Sequence, residues 1–304
     1  MKTWSIISYL VIGIVMGTFL GIILQKSAQV DQLFRRYGIL RTSTTKHDQS
    51  KPVPANFQGK MSLFILAGQS NMSGSGKVTP ASSVTHPRVF VFGNNYRWHL
   101  ATEPIDSPTG QVDHVSEDKL AGVGPGMAFA TELLKYDPEL IIGLIPCAKW
   151  GSSIQEWQKN LSEDTLYGSC LKRAYAASPM GEIKGLLFFQ GESDALNPQA
   201  YPSRRFFPNQ WADKFVRLVK DLRQDLGKPD LPVVFAQIGT TTDPEKLPNW
   251  ETVKAQQETV QLPATGMITT DDLGLQDHVH LTTESYLIVG KRFAKTFWKL
   301  TQRL

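Results

Sequence analysis

Apolar and polar positions along this chain fall into two regimes. Residues 4–24 run for 21 positions without a charge, between Lys2 and Lys26, and about 20 apolar residues is what a helix needs to cross a bilayer. Residues 1–25 are therefore expected to hold an uncleaved membrane anchor. A cleaved signal peptide would have a shorter apolar core and a better small-residue cleavage site than Lys26-Ser27-Ala28. Gly13, Gly17 and Gly21 recur every fourth residue on one face of that helix, the spacing that lets two membrane helices approach, so a homodimer contact there is one reading, beside the bland one that glycine is common in such helices. Residues 26–60 are polar and basic, contain Thr42-Ser43-Thr44-Thr45, Pro52 and Pro54, and sustain no apolar period, as a stem or linker does.

From Met61 onward the pattern becomes short apolar runs separated by helical periods. Strands are expected at 63–67, 89–92, 140–145, 186–189, 233–238 and 267–269, and helices at 126–135, 211–226, 250–260 and 284–300. Such alternation predicts an α/β domain over 61–304, with a mostly parallel sheet covered by helices on both faces. Residues 93–123, with Asn94-Asn95, Pro104 and Pro108-Thr109-Gly110, read as a long irregular insertion, and insertions of that length often carry function.

Composition changes this picture only slightly. The chain has 304 residues, 41% hydrophobic and 20% charged, which suits one large domain with a substantial core. Its net charge of +4 belongs to the N-terminal arm: residues 1–60 hold eight Lys or Arg against Asp31 and Asp48, a net of +6, which leaves −2 for the rest. A slightly acidic body has no electrostatic footprint for nucleic acid. Cys147 and Cys170 are too few for a disulfide framework, and metal-ligand spacings are absent, so no metal or cofactor is expected. One disulfide stays open, although Cys147 reads better as a core residue.

The candidate chemistry begins where the first strand of the domain ends, at Gly68-Gln69-Ser70-Asn71-Met72. A serine between a strand and a helix stands at the carboxyl edge of the sheet, where open α/β sheets place their ligands. The same position suits an ordinary helix N-cap. Near the other end, Asp277-His278-Val279-His280 supplies a carboxylate and an imidazole three positions apart. Acyl transfer needs a nucleophile, a base, a group that orients the base and donors for the oxyanion. Ser70, His280 and Asp277 are candidates for the first three. The serine is not in a G-x-S-x-G elbow, so the α/β-hydrolase fold is the less expected host.

Four blocks together resemble a known family. They are Ala67-Gly68-Gln69-Ser70-Asn71-Met72, Gly122-Val123-Gly124-Pro125-Gly126-Met127-Ala128-Phe129-Ala130, Gln190-Gly191-Glu192-Ser193-Asp194 and Asp277-His278-Val279-His280-Leu281-Thr282. In this order they resemble carbohydrate esterase family 6, the sialate O-acetylesterase-like branch of the SGNH hydrolases, and its plant members in particular. The resemblance implies a flavodoxin-like three-layer α/β/α sandwich and metal-independent removal of O-acetyl groups from sugars. It assigns Ser70, Asp277 and His280 to the triad, with His280 rather than His278 as base. It further implies an oxyanion hole from the backbone N–H of Ser70, a glycine N–H and the side-chain amide of Gln190. Gly151 is preferred for that glycine because it follows the strand at 140–145, with Gly124 as the rival. Gln69, Asn71, Glu192 and Trp150 are expected to touch or support substrate, Glu192 chiefly by bracing the active-site turn.

Trp150 and Trp157 are both candidates for stacking on a sugar ring, Trp157 equally for core packing. Asn71 and Asn160 begin glycosylation sequons, of which the first should be inaccessible. The expected protein is a single-pass, type II membrane serine esterase of the secretory pathway, in the Golgi, acting on an O-acetylated polysaccharide. Hydrolysis of a lipid or aryl ester by the same triad, and carbohydrate binding without catalysis, are the alternatives.

Overall fold

The computed structural model describes residues 53–107, 110, 113, 115 and 120–302. The expected membrane span, its Gly13, Gly17 and Gly21 face and most of the stem lie outside the described residues. The chain divides into two units, Met1–Thr45 and Lys46–Leu304, and every described residue belongs to the second. Among the described residues no helix is long and apolar enough to cross a membrane.

Seven strands form one sheet: β1 (Met61–Gly68), β2 (Val89–Phe92), β3 (Trp98–Leu100), β4 (Ile142–Ala148), β5 (Gly181–Phe189), β6 (Val233–Ala236) and β7 (Thr265–Ile268). Their order is β3-β2-β4-β1-β5-β6-β7. All neighbours pair in parallel except β2 and β3, which run antiparallel. The sub-order β4-β1-β5-β6-β7 is that of a doubly wound flavodoxin-type sheet, and ligands of such sheets bind where the winding reverses, beside the carboxyl end of the first strand. The β2–β3 hairpin extends the sheet beyond β4.

Among the described residues six α-helices accompany the sheet: α1 (Ser70–Ser73), α2 (Gly126–Tyr136), α3 (Leu166–Ala177), α4 (Trp211–Asp225), α5 (Trp250–Glu258) and α6 (Thr283–Thr301). In β1 every residue except Ser62 is buried, the near-continuous apolar run of a strand covered on both faces. On one face Phe64 packs edge-on against Phe129 of α2 and Phe297 of α6, with centroids 4.9 and 5.1 Å away. Phe188 of β5 lies opposite Ala67 in the register, so it points to the other face. There it meets Trp157 and Phe215 of α4 at 5.9 and 5.3 Å.

Several expectations shift. β5 begins at Gly181, and β4 covers Ile142–Ala148 where 140–145 was expected, because parallel pairing with β1 runs on through Pro146 to Ala148. α3 and β3 lay outside the expected elements. At the end of the expected stem, Ala55–Phe57 make a single 3₁₀ turn, and the Phe57 ring packs 6.0 Å from that of Phe90. Cys147 and Cys170 are buried and unbridged, with the Cys147 thiol directed at the Cys170 carbonyl.

Candidate active site

β1 can end where it does because its last residue is glycine. At Gly68 (φ +135°) an added Cβ would lie 2.1 Å from the Phe189 carbonyl oxygen at the end of β5, so a side chain would force the two strand ends apart. Gln69 N–H donates to that same carbonyl at 2.9 Å. The chain then turns into α1, with Gln69 at the N-cap position and Ser70 as the first helical residue. This corrects the N-cap reading of Ser70, whose hydroxyl is used elsewhere. The Ser70 hydroxyl donates to Nε2 of His280 at 2.9 Å. His280 arrives from the loop between β7 and α6, and its Nδ1–H donates to Asp277 Oδ2 at 2.6 Å. A carboxylate at Nδ1 only accepts, which leaves Nε2 free to accept from the serine.

Asp277 is itself held by its own segment. Its Oδ1 accepts from the backbone N–H groups of Val279 and His280 at 2.9 and 2.7 Å. Partial burial pushes its carboxyl up, but the N–H donors of His280 and Val279 and the imidazole outweigh that, and the group lies below the usual carboxylate range. Asp277 is thus ionised wherever His280 is a base. His278 turns away: its Nε2 lies 3.2 Å from Lys246 Nζ, while its carbonyl accepts from the Thr241 hydroxyl at 2.9 Å.

The supporting residues sort themselves by their hydrogen bonds. Gln69 Oε1 accepts from Ser193 N–H at 3.2 Å and so ties Ser70's neighbour to the 3₁₀ turn Glu192–Ala195. Asn71 Nδ2 donates to Glu192 Oε1, which gives Glu192 the bracing role expected of it. Trp150 rests its ring against His280, with centroids 5.1 Å apart, and its Nε1–H donates to Ser73 Oγ at 3.1 Å. Trp157 is a core residue, 1% exposed, with Nε1–H on Ser152 Oγ at 3.0 Å. The Asn71 sequon is buried, whereas Asn160 is exposed.

Gln190, expected to offer its amide to an oxyanion, is bonded within the protein. Its two amide protons already face three acceptors: Asp194 Oδ2 at 2.6 Å, the Ser152 carbonyl at 3.0 Å and Gln69 Oε1 at 3.3 Å. Its Oε1 accepts from Trp211 Nε1–H at 2.9 Å. Fully buried, the Gln190 amide is a structural hub in this structure. The two glycines also differ. Gly124 N–H points at Glu103 Oε2, at 3.4 Å. Gly151 sits in the left-handed region (φ +67°) with open space around its α-carbon, and Arg204 Nη2 holds its carbonyl at 2.5 Å.

Three residues beside the site were given no role by the sequence reading. Glu103 and Asp194 are buried carboxyls whose burial pushes them up to about 8 and about 6. Asp194 stood in the Gln190 to Asp194 block and was legible as part of it. Glu103 and Arg204 sit in irregular stretches where no spacing marks them. Among the described residues no group of three or more His, Cys, Asp and Glu side chains is placed to hold a metal ion. A cleft of about 490 Å³, lined by Leu133, Ile183, Leu231, Phe297 and Trp298 among others, opens at the amino ends of the strands, away from Ser70.

A hydroxyl, an imidazole and a carboxylate in line at the carboxyl edge of a doubly wound sheet is the arrangement acyl transfer requires. The chain belongs to the carbohydrate esterase, sialic acid-specific acetylesterase family, whose model matches residues 60–299. It is 31% identical over 284 residues to a probable carbohydrate esterase of Arabidopsis thaliana, covering 86% of this chain and 97% of that one. The X-ray structure of the Arabidopsis protein superposes with a TM-score of 0.67 at 30% identity, covering 79% of this chain and 98% of that chain. A carbohydrate acetylesterase from Xanthomonas citri shares the fold with a TM-score of 0.60 at 20% identity, over 80% of this chain and 57% of that one. Family membership favours a carbohydrate esterase over the lipid or aryl ester hydrolase and over binding without catalysis.

Proposed function

We propose that this carbohydrate O-acetylesterase works through Ser70, His280 and Asp277, and that its substrate is an O-acetylated polysaccharide. Ser70 Oγ attacks the acetyl carbonyl as His280 Nε2 takes its proton. The tetrahedral intermediate collapses as His280 returns that proton to the departing sugar oxygen, leaving an acetyl-enzyme. Water, deprotonated by His280, then releases acetate and restores Ser70. Asp277 keeps Nδ1 protonated and steadies the imidazolium in both halves. The backbone N–H groups of Ser70 and Gly151 are the proposed oxyanion donors; Gly151 is supported over Gly124 because the Gly124 N–H is directed at Glu103.

The observation that carries this reading is the continuous line from Ser70 Oγ through His280 to Asp277, at 2.9 and 2.6 Å. Acetate release by the full-length chain from acetylated xylan, acetylated pectin and an aryl acetate, beside Ser70→Ala, tests it. Loss of a triad member typically costs several powers of ten in rate. Equal rates in the two proteins would remove Ser70 from the mechanism.

The apolar run at 4–24 and the basic stem support a single-pass type II anchor that holds the domain in the lumen of the secretory pathway, in the Golgi, with helix pairing through Gly13, Gly17 and Gly21. Protease treatment of sealed microsomes tests this placement. Digestion of the domain without detergent would rule out the lumen.

A further inference from the structure

Beside the nucleophile stands an asparagine whose bonds reach both chain neighbours of the base. Asn71 Nδ2 donates to the Val279 carbonyl at 3.0 Å, and Asn71 Oδ1 accepts from Leu281 N–H at 3.4 Å. His280 lies between those two residues. The remaining capacity of the carboxamide is also used: Nδ2 donates to Glu192 Oε1, and Oδ1 accepts from the Tyr286 hydroxyl at 2.6 Å. Asn71, Glu192 and Tyr286 are 2%, 3% and 0% exposed, so the carboxamide and its two side-chain partners are shut off from water. From these contacts we infer that Asn71 is the positioning residue that sets the distance between Ser70 Oγ and His280 Nε2, with Glu192 as its anchor. The inference rests on the proposed Ser70–His280 pair.

The geometry explains why this position calls for asparagine. Ser70 and Asn71 share the first turn of α1, so a carboxamide fixed there measures the base against the nucleophile through very few bonds. Only a side chain with a donor and an acceptor on one planar group can bridge a C=O and an N–H on either side of a single residue. Aspartate would turn an acceptor, where Nδ2 now donates, toward the Val279 carbonyl and Glu192. Alanine would leave the Val279 carbonyl, the Leu281 N–H and Glu192 without their partner. Apart from the Ser70 hydroxyl, the hydrogen bonds made by His280 itself come from within its own loop, from Asp277 and from Gln276, whose N–H donates to the His280 carbonyl at 2.8 Å, while the Trp150 ring lies against the imidazole. They shape the loop, whereas Asn71 ties it to the nucleophile.

A misplacement of about 1 Å between reacting groups costs about a hundredfold in rate. The full-length Asn71→Ala chain is therefore expected to lose about a hundredfold in kcat on an aryl acetate, with KM within about threefold, at a temperature where circular dichroism shows it folded. The downfield proton NMR signal expected of the His280 Nδ1–H in the resting wild type should broaden or vanish in this variant. Glu192→Gln keeps an acceptor for Asn71 and should retain both signal and kcat, while Glu192→Leu should lose about tenfold in kcat. These Glu192 variants decide the matter if Asn71→Ala does not fold. A folded Asn71→Ala with wild-type kcat and an intact signal, or equal kcat in the two Glu192 variants, would overturn the assignment. Because the NMR signal is read without turnover, it judges the positioning even if Ser70→Ala kept activity, an outcome that would sink only the catalytic reading.

Discussion

Gln190 Nε2 lies 2.6 Å from Asp194 Oδ2, both residues fully buried. This bond joins the end of β5 to the turn that presents Glu192. The same Asp194 oxygen accepts from Ile154 N–H at 2.8 Å, so one carboxylate gathers the turn, the 149–156 loop and β5. Replacing Gln190 with leucine would orphan the Ser152 carbonyl and the Trp211 N–H and take one donor from Asp194, which keeps the Ile154 N–H. Buried polar groups without partners cost roughly 1–3 kcal/mol each.

Gln190→Leu is accordingly expected to lose about 3 kcal/mol or more in urea unfolding. An oxyanion donor would behave differently, lowering kcat with stability nearly unchanged. Wild-type stability combined with a large fall in kcat would return Gln190 to the oxyanion hole.

Glu103 predicts how stability depends on pH. An unfolded chain releases this proton near the ordinary value of 4.5, whereas burial holds it in the fold up to about 8. Between those values the folded protein binds more protons, so stability falls as pH rises, by about 1.4 kcal/mol per pH unit at most. Asp194, raised to about 6, adds a slope of the same sign at lower pH. Glu103→Gln is neutral throughout. Unfolding free energies measured from about pH 5 to about pH 8 should show a shallower decline in the variant, and parallel curves would refute a neutral Glu103.

How much of this was legible in the sequence follows from the range of the interactions. β2 appears at its expected bounds because four consecutive apolar residues between polar flanks have no competing reading. Ser70, Asp277 and His280 were singled out by the place of Ser70 after the first strand, the three-residue spacing of Asp277 and His280 and the resemblance of their blocks, and the fold brings the three side chains within hydrogen-bond reach. α3 was not picked out, although Leu166, Cys170, Ala174 and Ala177 recur at helical spacing behind Thr165, whose hydroxyl caps the helix by accepting from Gly168 N–H. Gly168, Ser169 and the charged Lys172 and Arg173 obscured that period. The partners of Asn71 and Gln190 lie as far as 215 and 121 positions away, and only the folded chain reveals that their amides are already spoken for.

Arg173 is a buried charge whose meaning appears only in the fold. Its guanidinium donates to Asp113 Oδ2 at 2.8 Å, the Pro146 carbonyl at 2.9 Å and the Phe92 carbonyl at 2.9 Å. It thereby staples the ends of β4 and β2 to the insertion after β3. Removing one partner of such a pair leaves an uncompensated buried charge and costs about 3–5 kcal/mol. Arg173→Met should lose that much by chemical unfolding, and Asp113→Asn, which leaves an acceptor for the guanidinium, should lose less. If both variants were as stable as the wild type, the staple would contribute nothing.

Trp150 separates two ways in which an aromatic residue can serve this site. Its ring lies tilted by 34° against the His280 imidazole and is tethered through Nε1–H to Ser73. A ring pair of this kind contributes about 1 kcal/mol beyond burial. If that contact steadies the base, Trp150→Ala should lower kcat/KM by about fivefold on every acetyl ester, the small aryl acetate included, and Trp150→Phe should recover most of it. If the ring instead holds a sugar, the loss should appear as a raised KM on acetylated polysaccharide and leave the aryl acetate untouched. The position of the ring against the imidazole favours the first pattern, and a loss confined to the polymer would reverse that assignment.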